Sequence, residues 1–487
     1  MIYNLYLHPL RAYPGPFWAR ACRFWYINAV VRGILPFSVY HAHQKYGPVV
    51  RVGPDELAYG DPDSWKEIYG HRADKGQIPK DPNFYLNTAA GDLSIIAAPS
   101  KRHGELRRLM SHGFSEKALR DQEPAIQHYV DLMIRRLRDL SVKNEPIDVV
   151  NWYNFFTFDI VGDLAFGESF DCLETSNYHP WIHIAFEIII AGTMFRVTDY
   201  YPWLKKILVK FVPESLKKGV KTHIALVKSK SLNRLHMKTD RIDFMSRMAD
   251  PKNGVSEKEF IASSDTVILG GSETTATLLS GVTYFLMTNP DALAKLTHEI
   301  RTKFTSEEEI DAASVNSLEY MLACLNEAFR LYPPVPGALP RRTIVPETLA
   351  GQYVPPQTTV AIYQWAINRL DANFSQPTEY IPERWLGDAR FVNDSRSAVQ
   401  PFSVGPRNCI GRNLAYTEMR LVIARLLFNF DLEATPMIEG WTNQKIWFLW
   451  DKKPLWIKLH ARDVKLRPEV EALASVEASQ KASAKVY

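Results

Sequence analysis

The sequence predicts a mainly α protein with small β-sheets, folded as one large domain. Three observations carry this. Apolar residues recur at helical spacing over 101–110, 123–140, 152–166, 256–288, 291–304, 318–332 and 412–430. Strand-like runs are few, the best being 49–52, 359–363 and 455–459, each bounded by Pro or Gly punctuation. No Gly/Ser/Pro linker and no internal repeat divides the 487 residues, which at 46% hydrophobic and 23% charged can bury a large core.

The longest helix is the most informative element. Ser256-Glu257-Lys258-Glu259 forms a capping box and Asn289-Pro290 ends the run. The interval of about 33 residues would span roughly 50 Å. It is apolar nearly all round from Phe260 to Met287, so a membrane span is the rival reading. Asp265 and Glu273 lie inside it, however, and a lipid-facing carboxylate is costly, which favours a helix buried in a large protein. Its middle reads Gly270-Gly271-Ser272-Glu273-Thr274-Thr275. Adjacent glycines weaken a helix and hydroxyls compete for its carbonyls, so a local widening is expected. Glu273 followed by Thr274 sets an acid beside a hydroxyl, a pairing suited to proton relay.

The second informative stretch is Phe402-Ser403-Val404-Gly405-Pro406-Arg407-Asn408-Cys409-Ile410-Gly411. Cys409 sits in a tight loop just before a helix, where free N–H groups and the helix dipole favour thiolate over thiol. Gly405 and Gly411 permit sharp turns and close approach to a flat ligand, and Arg407 supplies a fixed cation for a carboxylate. Cys22, Cys172 and Cys324 are scattered, with no Cys-x-x-Cys pair and no zinc spacing, and read as small buried hydrophobes. Sparse cysteine use fits a reducing compartment. A net charge of +4 without a Lys/Arg tract gives no support for nucleic-acid binding.

The stretch 402–411 matches F-x-x-G-x-R-x-C-x-G and resembles the haem-binding loop of the cytochromes P450. The resemblance covers the chain from Tyr3 to about Ala461, with further signatures in family order. Residues 270–275 are similar to the oxygen-activation motif (A/G)-G-x-(D/E)-T-(T/S), with Glu where many members carry Asp. Glu327-Ala328-Phe329-Arg330 and Pro382-Glu383-Arg384-Trp385 resemble the elements that form a buried Glu–Arg–Arg cluster. His103, Arg107 and Arg341 fall where family members contact haem propionates, with Arg342 an adjacent competitor to Arg341. The beginning is similar to the "NLYxHPLxxYPGP" of fungal members, just inside their membrane anchor.

The resemblance implies the P450 fold over 1–462, an anchor apparently absent, and a disordered tail over 463–487. It implies haem b (heme) as cofactor, with Cys409 the axial iron ligand and His103, Arg107, Arg341, Phe402, Gly405, Arg407 and Gly411 around it. Glu273 and Thr274 would be catalytic, and Glu327, Arg330 and Arg384 structural. The implied type, by resemblance, is a fungal class II enzyme similar to the trichothecene C-15 hydroxylase-like P450s, acting on an apolar terpenoid or polyketide. Electrons would come from NADPH through a separate NADPH–cytochrome P450 reductase, with cytochrome b5 an additional donor, and O2 would be the oxidant. The implied location is the cytosolic face of the endoplasmic reticulum if an anchor exists, with the sequons at Asn373 and Asn393 unused. The segment 203–212 sets Trp203, Leu204, Ile207, Leu208, Phe211 and Val212 opposite Lys205, Lys206 and Lys210, a pattern that suits a membrane surface. The substrate pocket is expected from 85–96, 266–274, 335–339 and 446–448. A reductase-independent haem-thiolate peroxygenase or isomerase and a non-catalytic haem sensor are the alternatives.

Overall fold

A helix apolar on all sides needs partners on all sides, and the central helix Glu257–Thr288 has them. In the computed structural model, which describes residues 1–468 apart from 73–74, 86–93, 179, 238, 240 and 242, it is packed by Val149–Phe166, Glu214–His236, Glu319–Leu331 and Arg412–Asn429. The predicted capping box is present. The Glu259 N–H donates to Ser256 Oγ at 3.2 Å, and the Ser256 N–H donates to Glu259 Oε2 at 3.0 Å. The neighbouring helix Val149–Phe166 is itself buried along nearly its whole length. Among the described residues no helix is long and apolar enough to cross a membrane.

Most predicted helices are found within one or two residues of their expected ends. One begins earlier: Glu116–Ser141 runs straight through Pro124. Pro124 is exposed, so the carbonyl it leaves without a donor faces the solvent side of the helix. Pro180–Arg196 and Glu214–His236 were not anticipated. The first is apolar without a polar face, and the second buries only His223, Val227, Ser231 and Arg234, so neither shows a clean apolar stripe.

The strands form three small sheets. Val49–Gly53 pairs antiparallel with Glu56–Tyr59, which pairs parallel with Thr359–Ala361, and Arg341–Arg342 closes that sheet antiparallel. Trp456–Ala461 lies between Ile147–Asp148 and Phe430–Ala434. Glu347–Leu349 and Gln352–Val354 make a separate hairpin. Sequence alone identified one strand of the first sheet's parallel pair and missed its partner, because four-residue strands carry too little periodicity.

Beyond residue 462 the chain stays attached for several residues. The Arg467 N–H donates to Glu307 Oε2 at 3.1 Å, and the Glu307 N–H donates to Lys465 O at 3.2 Å. Glu307 also accepts from Arg425 on the cysteine helix at 2.7 Å, and Arg425 pairs with Asp131. This buried cluster ties Arg412–Asn429 to Glu116–Ser141 and to the chain end. The rest of the expected tail, 469–487, lies outside the described residues. The sequon residue Asn373 is buried, and its Nδ2 donates to Gly60 O and Ile367 O, both at 3.0 Å.

Glu418 joins the cysteine helix to the central helix. Burial pushes its carboxyl up to about 8, against a hydrogen bond from Thr275 that favours ionisation. Between the ordinary carboxylate range and about 8 the folded chain therefore holds a proton that the unfolded chain has lost. Stability from this group should fall as pH rises through that window and level off above it, at up to about 1.4 kcal/mol per pH unit. Glu418→Gln should flatten the profile, read as thermal midpoint against pH.

Candidate active site

The segment before the cysteine helix has little regular structure, so its backbone polar groups need side-chain partners. Glu327 and Arg330 supply them from the helix Glu319–Leu331. Arg330 grips Glu327 through two bonds, Nη2 to Oε1 at 2.7 Å and Nε to Oε2 at 3.0 Å. Its remaining donors reach the carbonyls of Asn368, Pro377 and Glu379. Arg384 Nε donates to Glu327 Oε1 at 3.2 Å and its Nη1 pairs with Asp394. The side chains of Glu327, Arg330 and Arg384 have no exposure. Burial alone would raise the Glu327 carboxyl, but Arg330 and Arg384 outweigh it and hold the group below its usual range. The expected three-residue cluster is thus present, with Trp385 and Asp394 as members that the motif did not disclose.

The cysteine loop is set against the helix Ser64–Tyr69. Gly405 has φ +75°, and a Cβ there would lie 2.1 Å from Tyr69 O, so only glycine fits. Gly411 has an ordinary φ and precedes the helix as its N-cap. The Cys409 N–H donates to Phe402 O at 2.8 Å, closing the loop on itself. Phe402 packs with Phe329 and Tyr416, at ring separations of 5.2 and 5.3 Å.

Cys409 is exposed, yet it is densely surrounded, and burial raises its thiol above the ordinary value. An accessible sulfur that is also desolvated lies in an internal recess. The Gly411 N–H, Arg107 and Arg412 pull the other way without prevailing. The helix begins at Arg412, as the sequence predicts. Cys172 and Cys324 are buried as expected, and Cys22 is half-buried.

Basic side chains converge near the loop. His103 is held neutral, at about 3, by burial and by Arg407, Arg107, Lys80 and Arg341. Lys80 is pushed down to about 6 by burial, Arg341 and Arg407. Arg407 donates to Gln77 Oε1, Ile96 O and Ala98 O, and Arg341 to Ile78 O, leaving the buried Arg341 Nε without a partner. Among the described residues none of Lys80, Arg341 and Arg407 has a carboxylate within ion-pairing distance. Arg342 is elsewhere, bonded to Asp55, Gln357 and Thr359, so Arg341 is the arginine of the pair that joins this group. Arg107 is turned onto the loop, donating to Asn408 O and Oδ1, both at 2.6 Å. Lys80 was missed by sequence reasoning, and its only signal, a lysine before Asp81-Pro82, is too common to single out.

On the central helix the two adjacent glycines do different work. A Cβ on Gly271 would lie 3.0 Å from Val161, so that glycine admits the neighbouring helix. A Cβ on Gly270 would meet nothing within 4 Å, and Gly270 is exposed in a helix otherwise largely buried. The helix stays α-helical throughout, so the expected widening is absent. Instead the Thr274 hydroxyl donates to Gly270 O at 2.7 Å, which absorbs the hydroxyl without opening the ladder. Glu273 turns away from that face. Its Oε1 lies 2.7 Å from Lys452 Nζ in a buried pair, with Thr277 donating at 3.3 Å, while Oε2 has no partner. Burial raises the Glu273 carboxyl, with Lys452 opposing. Lys452 also donates to Asn154 Oδ1 at 3.4 Å, and Asn154 donates to Tyr178 Oη at 2.8 Å.

A sulfur in a recess, a desolvated group of basic side chains whose arginines lack a carboxylate partner among the described residues, and an open glycine face fit a flat cofactor that carries a metal and carboxylate arms. That donor chemistry defines a haem-thiolate protein. The chain belongs to the cytochrome P450 family, whose model matches residues 13–459. It is 46% identical over 467 residues to the cytochrome P450 monooxygenase tpeC of Talaromyces stipitatus, covering 94% of this chain and 91% of that protein. It is 44% identical to the cytochrome P450 monooxygenase astA of Talaromyces wortmannii, covering 95% and 94%. It is 45% identical to the averantin hydroxylase of Dothistroma septosporum, covering 95% and 89%. The protein is therefore a P450 monooxygenase that uses haem with a cysteine thiolate ligand, O2, a small-molecule substrate and a redox partner.

Removing one member of a buried ion cluster leaves uncompensated charge, at a cost of about 3–5 kcal/mol. Glu327→Gln and Arg384→Met should each yield little haem-loaded protein, measured as the ratio of haem absorbance to protein. Normal loading and melting in both would mean that the cluster does not hold the loop.

Proposed function

We propose that this chain is a monooxygenase of fungal secondary metabolism that hydroxylates, epoxidises or desaturates an apolar terpenoid or polyketide. The supporting observation is the accessible Cys409 sulfur in a loop with Arg407, near Arg341, two guanidiniums with no carboxylate partner among the described residues. Cys409 would hold the iron, while Lys80, His103, Arg341 and Arg407 would hold the carboxylate arms, with Phe402 and Gly405 shaping the loop beneath. When bound, the haem would supply the O2 chemistry that places one oxygen atom in the substrate and releases the other as water or, in desaturation, removes two hydrogens and releases both oxygens as water. The chain's part is to orient substrate and deliver protons. Thr274 presents a hydroxyl on the open face of the central helix. Glu273, paired to Lys452, would store the proton behind it and must turn from that pair to pass it forward.

Electrons would come from NADPH through NADPH–cytochrome P450 reductase, with cytochrome b5 as an additional donor. A membrane surface is the proposed setting, at the cytosolic face of the endoplasmic reticulum. Trp203, Ile207, Leu208 and Phe211 are exposed on one short helical segment. Tyr6, Leu7, Phe17 and Trp18 are exposed near the start of the chain. Water is a poor neighbour for so much apolar surface.

Cys409→Ala should abolish the red-shifted Soret band of the reduced carbon monoxide complex together with all activity. Cys22→Ala, Cys172→Ala and Cys324→Ala should keep both, and a Cys409→Ala protein that retains the band would refute the ligand assignment.

Thr274→Val nearly preserves shape and removes the hydroxyl, so haem content should survive. Product per NADPH should fall, with the lost electrons recovered as hydrogen peroxide or excess water. Full coupling in Thr274→Val would leave Thr274 a packing residue.

A further inference from the structure

The pocket that the substrate stretches share lies apart from the oxygen-activation segment. Gly337, Ala338, Ile446, Trp447 and Phe448 line it as expected, but no residue of 266–274 does. Its other walls come from the helix Phe24–Val31 and from 193–200, neither anticipated, and the 86–93 part of the expected lining lies outside the described residues. Its walls are largely aromatic: Tyr26, Phe84, Tyr200, Tyr363, Trp447 and Phe448.

Among the described residues, one cation lines this aromatic space. Arg196 ends the helix Pro180–Arg196 and stacks on Phe84, its Cζ 4.2 Å from the ring centroid. Its Nε is buried without a hydrogen-bond partner. No hydrogen bond or ion pair joins its guanidinium to any described residue. Of the nearby carboxylates, Glu56 accepts from Arg23 at 3.0 Å and from the Tyr363 hydroxyl at 3.3 Å, and Asp199 pairs with Lys205 through Oδ1 and leaves its Oδ2 without a hydrogen-bond partner. Arg23 itself bridges Asp55 and Glu56 and lies over the Tyr200 ring at 3.9 Å. A guanidinium stays charged at ordinary pH, and a desolvated cation is costly until an anion meets it. Burial accordingly lowers the Arg196 pKa. A partnerless, planar donor fork among aromatic rings suits a ligand that offers both a ring and an acidic oxygen.

We infer that Arg196 is an anion anchor in the substrate's approach, and that the substrate is an aromatic or polycyclic molecule bearing an anionic oxygen, as a carboxylate or acidic phenol supplies. This rests on the monooxygenase reading above and narrows its substrate class. The anchored end would be held in this pocket while the apolar remainder extends toward the oxidised position.

Equilibrium dialysis of the haem-loaded protein with 2-naphthoic acid and with 2-naphthamide tests this near neutral pH. The two probes share shape and differ in charge. Wild type should bind the acid about ten-fold more tightly, equivalent to about 1.4 kcal/mol. Arg196→Gln and Arg196→Met should lose that preference while binding the amide as wild type does, and Arg196→Lys should retain part of it. A purely structural arginine would weaken both probes alike. Failure of wild type to prefer the acid, including absence of measurable acid binding, overturns the anchor, as does a preference that survives Arg196→Gln. Should the neutral variants lose haem, the wild-type comparison and Arg196→Lys still decide. A normal carbon monoxide band with no acid preference sinks the anchor alone, whereas loss of the thiolate band in wild type sinks the functional reading.

Discussion

The buried guanidinium–carboxylate pairing of Arg330 and Arg384 with Glu327 is the interaction on which the rest depends. These side chains have no exposure, so each charge has lost its water and must be repaid by close geometry. That demand is what gives position to a segment with almost no helix or strand of its own. Arg330 collects the carbonyls of Asn368, Pro377 and Glu379, Trp385 donates to the same carboxylate, and the chain that follows arrives at the cysteine loop in one place. A second closed cluster, Arg425 with Glu307 and Asp131, fixes the far side of the cysteine helix.

The contrast between spent and unspent charge separates scaffold from site. In both clusters every guanidinium has a carboxylate partner. Among the described residues, Arg341 and Arg407 around the recess meet only carbonyls, an amide and an aromatic face, and Arg196 stacks on Phe84 without an ion pair. Unpaired, desolvated cations cost stability, so their retention is the observation on which the proposed ligand contacts rest. The Glu273–Lys452 pair is intermediate, because one carboxylate oxygen is satisfied and the other has no partner.

Most of the frame was legible because its signals are local. The capping box at Ser256, the glycine turn at Gly405 and the i, i+3 pair of Glu327 and Arg330 each lie within a few residues, and each is found as read. The readings that failed needed knowledge of distant neighbours. The substrate stretch 266–274 does not line the pocket that 337–338 and 446–448 share. The glycine pair did not widen its helix, because Gly271 is taken up by Val161 and the Thr274 hydroxyl by Gly270 O.

By itself the sequence determined the family and the order of the elements that carry the Cys409 loop, because short motifs encode turns and caps directly. Only the tertiary structure decided that Arg341 and not Arg342 joins the cations, that Lys80 belongs with them, that Glu273 faces Lys452 and that Arg196 stands unpaired. Partners such as Glu273 and Lys452, or Lys80 and Arg341, are far apart along the chain, and whether a charge is neutralised depends on what packing brings within a few ångströms of it.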